Sequence, residues 1–431
     1  MKQNRFPIVL FMALLMAACG TTNRLPRRIA HPDATVGTID QSNAFEGAAT
    51  QVERVQPAVV EQPSLSPLQQ QLLALTTDTL LQVSQVGISV IDLTTGVILF
   101  EHNARQRMRP ASTEKVVTAI AALDLLGPNH SFRTTLATTG TIEGNVLRGD
   151  LYVKGGMDPL LSANDVRSLV NQLRNAGVRS ISGRLITDAS MKDADEFGWG
   201  WCWDDENPTL TPLLCGGKPN LVNQLQAALK AVGIRVGAVA PGSVPASART
   251  LAVVERPLTA VLQPMMKQSD NLCAESVFYQ MGRSRKQVAA AIDNVINRAF
   301  VVSSPNAVPK ELSSTVADGS GLSLYNYQTP ETFTRLLTYA ATRPDSILNP
   351  LLAALPIAAV DGTLKSRMAA TPAAQNVRAK TGSVTAISTL VGYTTQRSTG
   401  HLIAFAVMNQ GVRRMAEGRS FQDRVCVLLS Q

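Results

Sequence analysis

No Cys/His grouping in this 431-residue chain has zinc-ligand spacing, although it holds four histidines and five cysteines. No Lys/Arg-rich run is interleaved with aromatics, which make up only 5% of the residues, so nothing supports nucleic-acid binding. No internal repeat is visible, which excludes a solenoid. The apolar run Phe6 to Ala18 is too short to span a bilayer. No motif implies a cofactor. What is present is an ordinary globular balance, 45% hydrophobic and 17% charged. The length fits two or three domains. The net charge of +8 suits wall polymers or membrane phosphates, but its plainer reading is solubility.

The N-terminus has an export pattern. Lys2 and Arg5 lead into the apolar run, which closes on Leu15-Met16-Ala17-Ala18-Cys19-Gly20. Small residues just before a cysteine resemble a bacterial lipoprotein signal, with Cys19 lipidated as the new first residue. Met16 stands where Leu is usual, so ordinary signal-peptidase cleavage is the alternative. Residues 20–64 lack periodicity and are rich in Thr, Pro, Gln, Asn and Ala. They read as a tether reaching on the order of 35–40 Å as a random coil. The expected location is the periplasm, with membrane attachment through the lipid. In an exported chain Cys202 and Cys215, close together in a loop-like stretch, are expected to pair. Cys273 and Cys426 lie in helical, apolar contexts and read as buried free thiols.

Folded pattern begins at Ser66-Pro67, with a helix near 67–82. Gly87 to Ile91 and Val97 to Phe100 form a hairpin, and a helix runs from about Ser112 to Leu126, stopped by Gly127-Pro128. Residues 133–250 mix short Gly-broken strands with helices near 164–176 and 220–232, and read as an inserted small α/β domain. Residues 256–300 and 329–343 look helical. Strands at Ala386 to Tyr393 and His401 to Met408 precede a final helix near 414–429. Strands at both ends around a helical block predict an α+β domain, residues 65–132 with 251–431, whose one mixed sheet uses both termini.

Three short motifs follow in order: Ser112-Thr113-Glu114-Lys115, Ser269-Asp270-Asn271 and Lys380-Thr381-Gly382, then Ser383. Ser112 and Lys115 share one face at a helix start. A serine hydroxyl needs a base, and a lysine serves if burial and a second cation lower its pKa. Lys380 is the candidate cation. The N–H groups of Ser112 and Ser383 are candidate oxyanion donors. Gly382, on a predicted edge strand, leaves room for an extended substrate to lie alongside. Lys380, Thr381 and Ser383 suit a substrate carboxylate. Ser269 suits proton relay to the leaving amine, and Asn271 suits holding the substrate amide or positioning Lys115.

One Ser-x-x-Lys is expected by chance in a chain of this length, and alone it would be an exposed helix start. Ser-Asp-Asn alone is a turn or cap, and Lys-Thr-Gly alone a strand end. In this order, on a helix start, a helix start and a strand, the three form the signature of penicillin-binding proteins and class A β-lactamases. The chain resembles the class C low-molecular-mass penicillin-binding proteins, the D-Ala-D-Ala carboxypeptidases/endopeptidases. The likeness extends to Ala317 to Ser323, Leu355 to Leu364, Gly149 to Leu151, Asp158-Pro159 and Trp201 to Asp205.

This resemblance implies a β-lactamase/DD-peptidase-like fold, an antiparallel sheet between helices plus a helical lobe, with the site between them. It implies acylation of Ser112 by stem peptides and cross-links of peptidoglycan, and by β-lactam antibiotics. It places Asp188, in Leu185-Ile186-Thr187-Asp188, near a substrate side-chain amine; a strand-end turn is the plainer alternative. Ser112 and Ser269 are 157 residues apart, less than in the family's well-known members, so their nested third domain is expected to be missing. A Cys202–Cys215 bridge would then staple the shortened junction. Two rivals stay open. A class A β-lactamase needs a Glu-x-x-Leu-Asn loop, which Glu311-Leu312-Ser313 does not match. A wall-binding protein with an idle site would keep the fold without the chemistry.

Overall fold

The structure, a computed structural model, describes residues 65–303 and 314–431. The expected export signal with Cys19, the tether and Glu311 lie outside the described residues. The chain begins with Pro67–Ala74 (α1), capped by Ser66, whose hydroxyl accepts from the Gln69 amide while the Gln69 side chain answers the Ser66 N–H. A 3-10 turn separates it from Leu80–Val83 (α2), so the expected single helix over 67–82 is broken. Gln85–Asp92 (β1) and Ile98–His102 (β2) pair as a hairpin. The 3-10 turn Ala111–Thr113 runs directly into Glu114–Leu126 (α3), which buries Glu114, Lys115 and Thr118 together with a run of Val, Ala, Ile and Leu.

Next come Ser131–Thr138 (β3), Thr141–Glu143 (β4), Val146–Arg148 (β5), Leu151–Lys154 (β6), Ala163–Asn175 (α4), Ser180–Ile181 (β7), Leu185–Asp188 (β8), Leu221–Ala231 (α5), Val239–Pro241 (β9) and Arg249–Pro257 (β10). They form a five-stranded sheet in the order β10-β3-β6-β8-β9 and a three-stranded one, β4-β5-β7. Leu169, Val170 and Leu173 of α4 and Leu221, Leu225 and Leu229 of α5 close a core over the larger sheet. The i, i+4 spacing of these leucines puts them on one helical face. All strands of this module come from residues 131–257.

A helical lobe follows: Leu258–Lys267 (α6), Asn271–Gln280 (α7), Arg285–Ser303 (α8), Pro330–Ala341 (α9) and Asn349–Ala354 (α10). The chain closes with Arg378–Val384 (β11), Ile387–Thr395 (β12), Leu402–Gln410 (β13) and Met415–Leu429 (α11). Sheet order is β11-β12-β13-β1-β2, and every pairing is antiparallel. The expected union of both termini is present, but the sheet is not mixed. β1-β2 and β11-β12-β13 are each consecutive antiparallel neighbours, and β13 joins β1 across the two ends of the domain.

Helices cover both faces of this sheet. Val391, Ala404, Ala406 and Met408 pack toward the lobe, while Leu390, Ile403, Phe405 and Val407 pack toward α1 and α11. Burial on both faces explains the near-continuous apolar run of β13. β11 is left as an edge strand facing the turn that carries Ser112. Among the described residues no helix is long and apolar enough to cross a membrane.

Candidate active site

The three motifs, scattered over 271 residues of sequence, meet at the seam between β11 and the helical lobe. Ala111 adopts a φ of 48° and Ser269 a φ of 61°, left-handed conformations that cost a non-glycine residue energy and concentrate at functional sites. The Ser112 turn is held by Thr113 and Thr389, whose hydroxyls donate to the Pro110 carbonyl at 2.6 and 2.8 Å. Asp270 caps α7 by accepting from the Cys273 amide at 2.8 Å, which fixes Asn271 as the first helical residue.

Lys115 Nζ is the hub. It lies 2.9 Å from Ser112 Oγ, 2.8 Å from Asn271 Oδ1 and 2.8 Å from the Ser320 carbonyl. Lys380 Nζ lies 2.9 Å from Ser269 Oγ and 2.7 Å from the Thr381 carbonyl. Ser112, Ser269 and Asn271 remain partly accessible, whereas both ammonium groups are buried. The Thr381 hydroxyl donates to Thr363 Oγ1 at 2.8 Å, and Ser383 is exposed at the strand's end.

Gly382 has a different reason from the one its sequence position suggests. A Cβ there would sit 2.1 Å from Thr389 Oγ1, 2.6 Å from the Pro110 carbonyl and 3.0 Å from the Thr113 amide. The absent side chain lets β11 press against the turn that holds Ser112. At Gly321 (φ +82°) a Cβ would meet the Ala111 carbonyl at 1.8 Å, so the 318–323 loop packs equally tightly on the other side.

Burial pulls the Lys115 pKa down to about 8, against the opposing pull of Asp318, Glu275 and Asp270. At neutral pH about one molecule in ten then carries a neutral Lys115, against fewer than about one in a thousand for an ordinary lysine. The expected second cation acts less directly. Burial, with repulsion from Lys115 behind it, holds Lys380 well below the usual lysine range.

Residue motifs alone did not reveal the carboxylates under the lysines. Glu275, one turn after Asn271, accepts from the Ser320 amide at 2.8 Å and the Gly319 amide at 3.1 Å, orienting the carbonyl that Lys115 holds. Burial, then the Asp318 charge, lifts Glu275 to about 8. Asp318 accepts from the Gly321 and Ser323 amides, Asn326 Nδ2 and Trp201 Nε1. Burial also raises the pKa of Glu114, which accepts from Gln328. The i, i+4 spacing of Asn271 and Glu275 was the available signal for one of these groups.

Asp188 lies apart from the lysines, buried at the end of β8. Its Oδ1 accepts from the Ser190 amide and its Oδ2 from the Val244 amide, both at 2.8 Å. Those bonds outweigh burial and lower its pKa. Cys202 and Cys215 are both free thiols. The expected bridge is not formed: Cys215 turns into the core under α4 and α5, whereas Cys202 lines the cleft beside Asp205. Cys273 and Cys426 are free and buried on α7 and α11.

A cleft of about 400 Å³ opens beside the seam, lined by Arg109, Ala111, Cys202, Asp205, Leu324 and Ser383 among others. A larger hollow of about 570 Å³ between α2 and α11 holds none of the catalytic candidates.

The profile of the D-Ala-D-Ala carboxypeptidase 3 (S13) family matches residues 68–213 and 218–431. D-alanyl-D-alanine carboxypeptidase DacB of Haemophilus influenzae is 26% identical over 421 residues, covering 76% of this chain and 86% of that protein. A carboxypeptidase of Mycobacterium tuberculosis is 31% identical over 377 residues, 79% of each chain. The crystal structure of penicillin-binding protein 4 from Haemophilus influenzae superposes with a TM-score of 0.71 at 24% identity, covering 83% of this chain and 97% of that one. A predatory endopeptidase of Bdellovibrio bacteriovorus, solved acylated by penicillin G, gives 0.50 at 20% identity over 79% of this chain and 91% of that one. At these identities the structural likeness speaks for the fold.

Proposed function

The chain belongs to the D-Ala-D-Ala carboxypeptidase 3 (S13) family, and on that premise we propose that Ser112 is its nucleophile and Lys115 the base that activates it. The protein is a serine-type D-Ala-D-Ala peptidase of peptidoglycan peptides. The observation that carries the residue assignment is the position of Lys115 Nζ, buried, 2.9 Å from Ser112 Oγ and bonded to Asn271. A buried lysine with a pKa near 8 reaches its neutral, basic form at working pH.

In this reading neutral Lys115 takes the Ser112 proton as Oγ attacks the penultimate D-Ala carbonyl. The N–H groups of Ser112 and Ser383 face the developing oxyanion. As the C–N bond breaks, the proton that Lys115 took from Ser112 passes by way of Ser269, held by Lys380, to the leaving amine, which leaves Lys115 neutral again. D-Ala, or the amine side of a cross-link, departs. Water activated at Lys115 then cleaves the ester and restores Ser112. Thr381, Gly382 and Ser383 line the strand along which the substrate lies. A contact of Asp188 with a side-chain amine would use lone pairs left on oxygens that already accept backbone amides.

β-Lactams acylate Ser112 by the same attack, but their amine stays attached to the acyl group, so deacylation is slow. Residues 133–250 act as an inserted domain beside the cleft. Export to the periplasm and lipidation at Cys19 complete the proposal, supported by the charge and apolar pattern of residues 2–20.

Purified protein incubated with uncross-linked and cross-linked muropeptides, with product masses read out, tests this. The expected products are pentapeptide shortened by one D-Ala and hydrolysed cross-links, both absent with Ser112→Ala. Product formation by Ser112→Ala defeats the assignment. Rapid multiple-turnover penicillin hydrolysis would instead make the protein a β-lactamase.

A further inference from the structure

The loop Phe197 to Trp203 exposes an unusual amount of aromatic surface. Trp203 is 94% exposed, Phe197 56% and Trp199 49%, and Tyr325 across the rim is 47% exposed. All three tryptophans of the chain lie in this loop. Isolated exposed apolar residues need no explanation, but a cluster of large ones marks an interaction surface.

The base of this cluster, from Trp199 to Trp201, is fixed by several contacts. The Trp199 ring stacks on Tyr325 with centroids 4.3 Å apart and carries the Arg285 guanidinium 4.5 Å from its own centroid. Ser323 Oγ donates to the Trp199 carbonyl at 2.7 Å, and the Leu324 amide to the Gly200 carbonyl at 3.1 Å. Trp201 anchors the loop from below, donating to Asp318 at 2.8 Å. Trp203 stands between Cys202 and Asp205, both of which line the catalytic cleft. The aromatic rim is therefore continuous with the groove that takes the peptide.

We propose that this rim, with Trp203 at its tip, binds the amino-sugar rings to which the stem peptide is attached. The inference rests on the peptidase reading above, and it adds the glycan as a second element of substrate recognition. The chemistry fits. A pyranose presents axial C–H bonds that pack on an indole face, and its hydroxyl and acetamido N–H groups need acceptors. Asp204, Asp205 and Glu206 follow Trp203 directly. The same three carboxylates oppose docking of the rim on an anionic lipid surface. The fixed base from Trp199 to Trp201 lowers the ordering cost that a wholly loose loop would incur.

The test uses the full-length protein in two measurements. In the first, tri-N-acetylchitotriose is titrated against wild type, Trp203→Ala and Trp203→Phe by tryptophan-indole NMR. Shifts confined to the rim, lost in Trp203→Ala and kept in weakened form in Trp203→Phe, are expected. In the second, kcat/KM is compared for a disaccharide-pentapeptide and for the same pentapeptide freed of sugar. Wild type should favour the sugar-bearing substrate by about fivefold to tenfold, the scale of one good aromatic contact. Trp203→Ala should reduce that ratio to near one, with the free-peptide rate as internal control. Equal rates on the two substrates in wild type, together with no sugar-induced shifts, would overturn the proposal. So would Trp203-dependent sedimentation with phosphatidylglycerol vesicles, which would assign the rim to lipid. If neither peptide is cleaved, the peptidase reading fails, and the NMR titration still decides the sugar site.

Discussion

The catalytic seam and the inserted module lie side by side but are built on opposite principles. In the seam, ionisable side chains are buried and hydrogen-bonded: Lys115 to Ser112, Asn271 and Ser320, and Glu275 to two backbone amides. In the module, the core under α4 and α5 is aliphatic, and the conspicuous side chains are the exposed aromatics of the 197–203 loop. In the proposed reading the seam does the chemistry and the module shapes what reaches it. A hydrogen bond from Trp201 to Asp318, with the Ser323 and Leu324 bonds to Trp199 and Gly200, joins the loop to the carboxylate cluster beneath Lys115.

The contrast can be broken by substitution. Lys115→Ala should reduce the rate of penicillin acylation by about a thousandfold or more, measured by stopped-flow, because both the base and the hub of the seam are lost. Gly382→Ala should cost about a hundredfold in the same assay, since the new methyl must push β11 away from the Ser112 turn. Retention of wild-type acylation by Gly382→Ala would show that the seam is not as tight as its contacts imply.

Smaller effects sharpen the comparison. The acylation rate should rise with pH and level off above about 8, as Lys115 loses its proton. Glu275, itself lifted to about 8, carries the charge that raises the Lys115 pKa only in the upper part of this limb, so Glu275→Gln should bring the plateau to slightly lower pH and leave the foot of the limb in place. A limb that moves upward would contradict the placement of that charge. The smallest effect belongs to the module: adding a reductant should leave Tm and gel mobility unchanged, because Cys202 and Cys215 are free. A reductant-dependent drop in Tm would restore the bridge.

The seam was the more legible region because its chemistry rides on local spacing. Ser112 and Lys115 share a helical face, and Asp270 caps the helix that Asn271 begins. The sheet strands were legible from their apolar runs. The deeper layer was not. Glu275 and Asp318 act through backbone amides of a loop brought close only by the fold, and spacing offered a hint of Glu275 alone, one turn after Asn271. Gly382 was read for what its missing side chain offers a substrate, whereas the packing of β11 on the Ser112 turn supplies the stronger reason. Proximity in sequence also misled: Cys202 and Cys215 are 13 residues apart, yet one faces the cleft and the other a hydrophobic core. β10 was missed because Arg249–Pro257 leads straight into α6, so strand and helix signals overlap.

The most direct test of the central claim is to acylate the full-length protein with penicillin, digest it and locate the adduct by mass spectrometry. A single penicilloyl group on the peptide containing Ser112, absent in Ser112→Ala and formed far more slowly in Lys115→Ala, is the predicted result. An adduct on another serine, or undiminished labelling of Ser112→Ala, would contradict it.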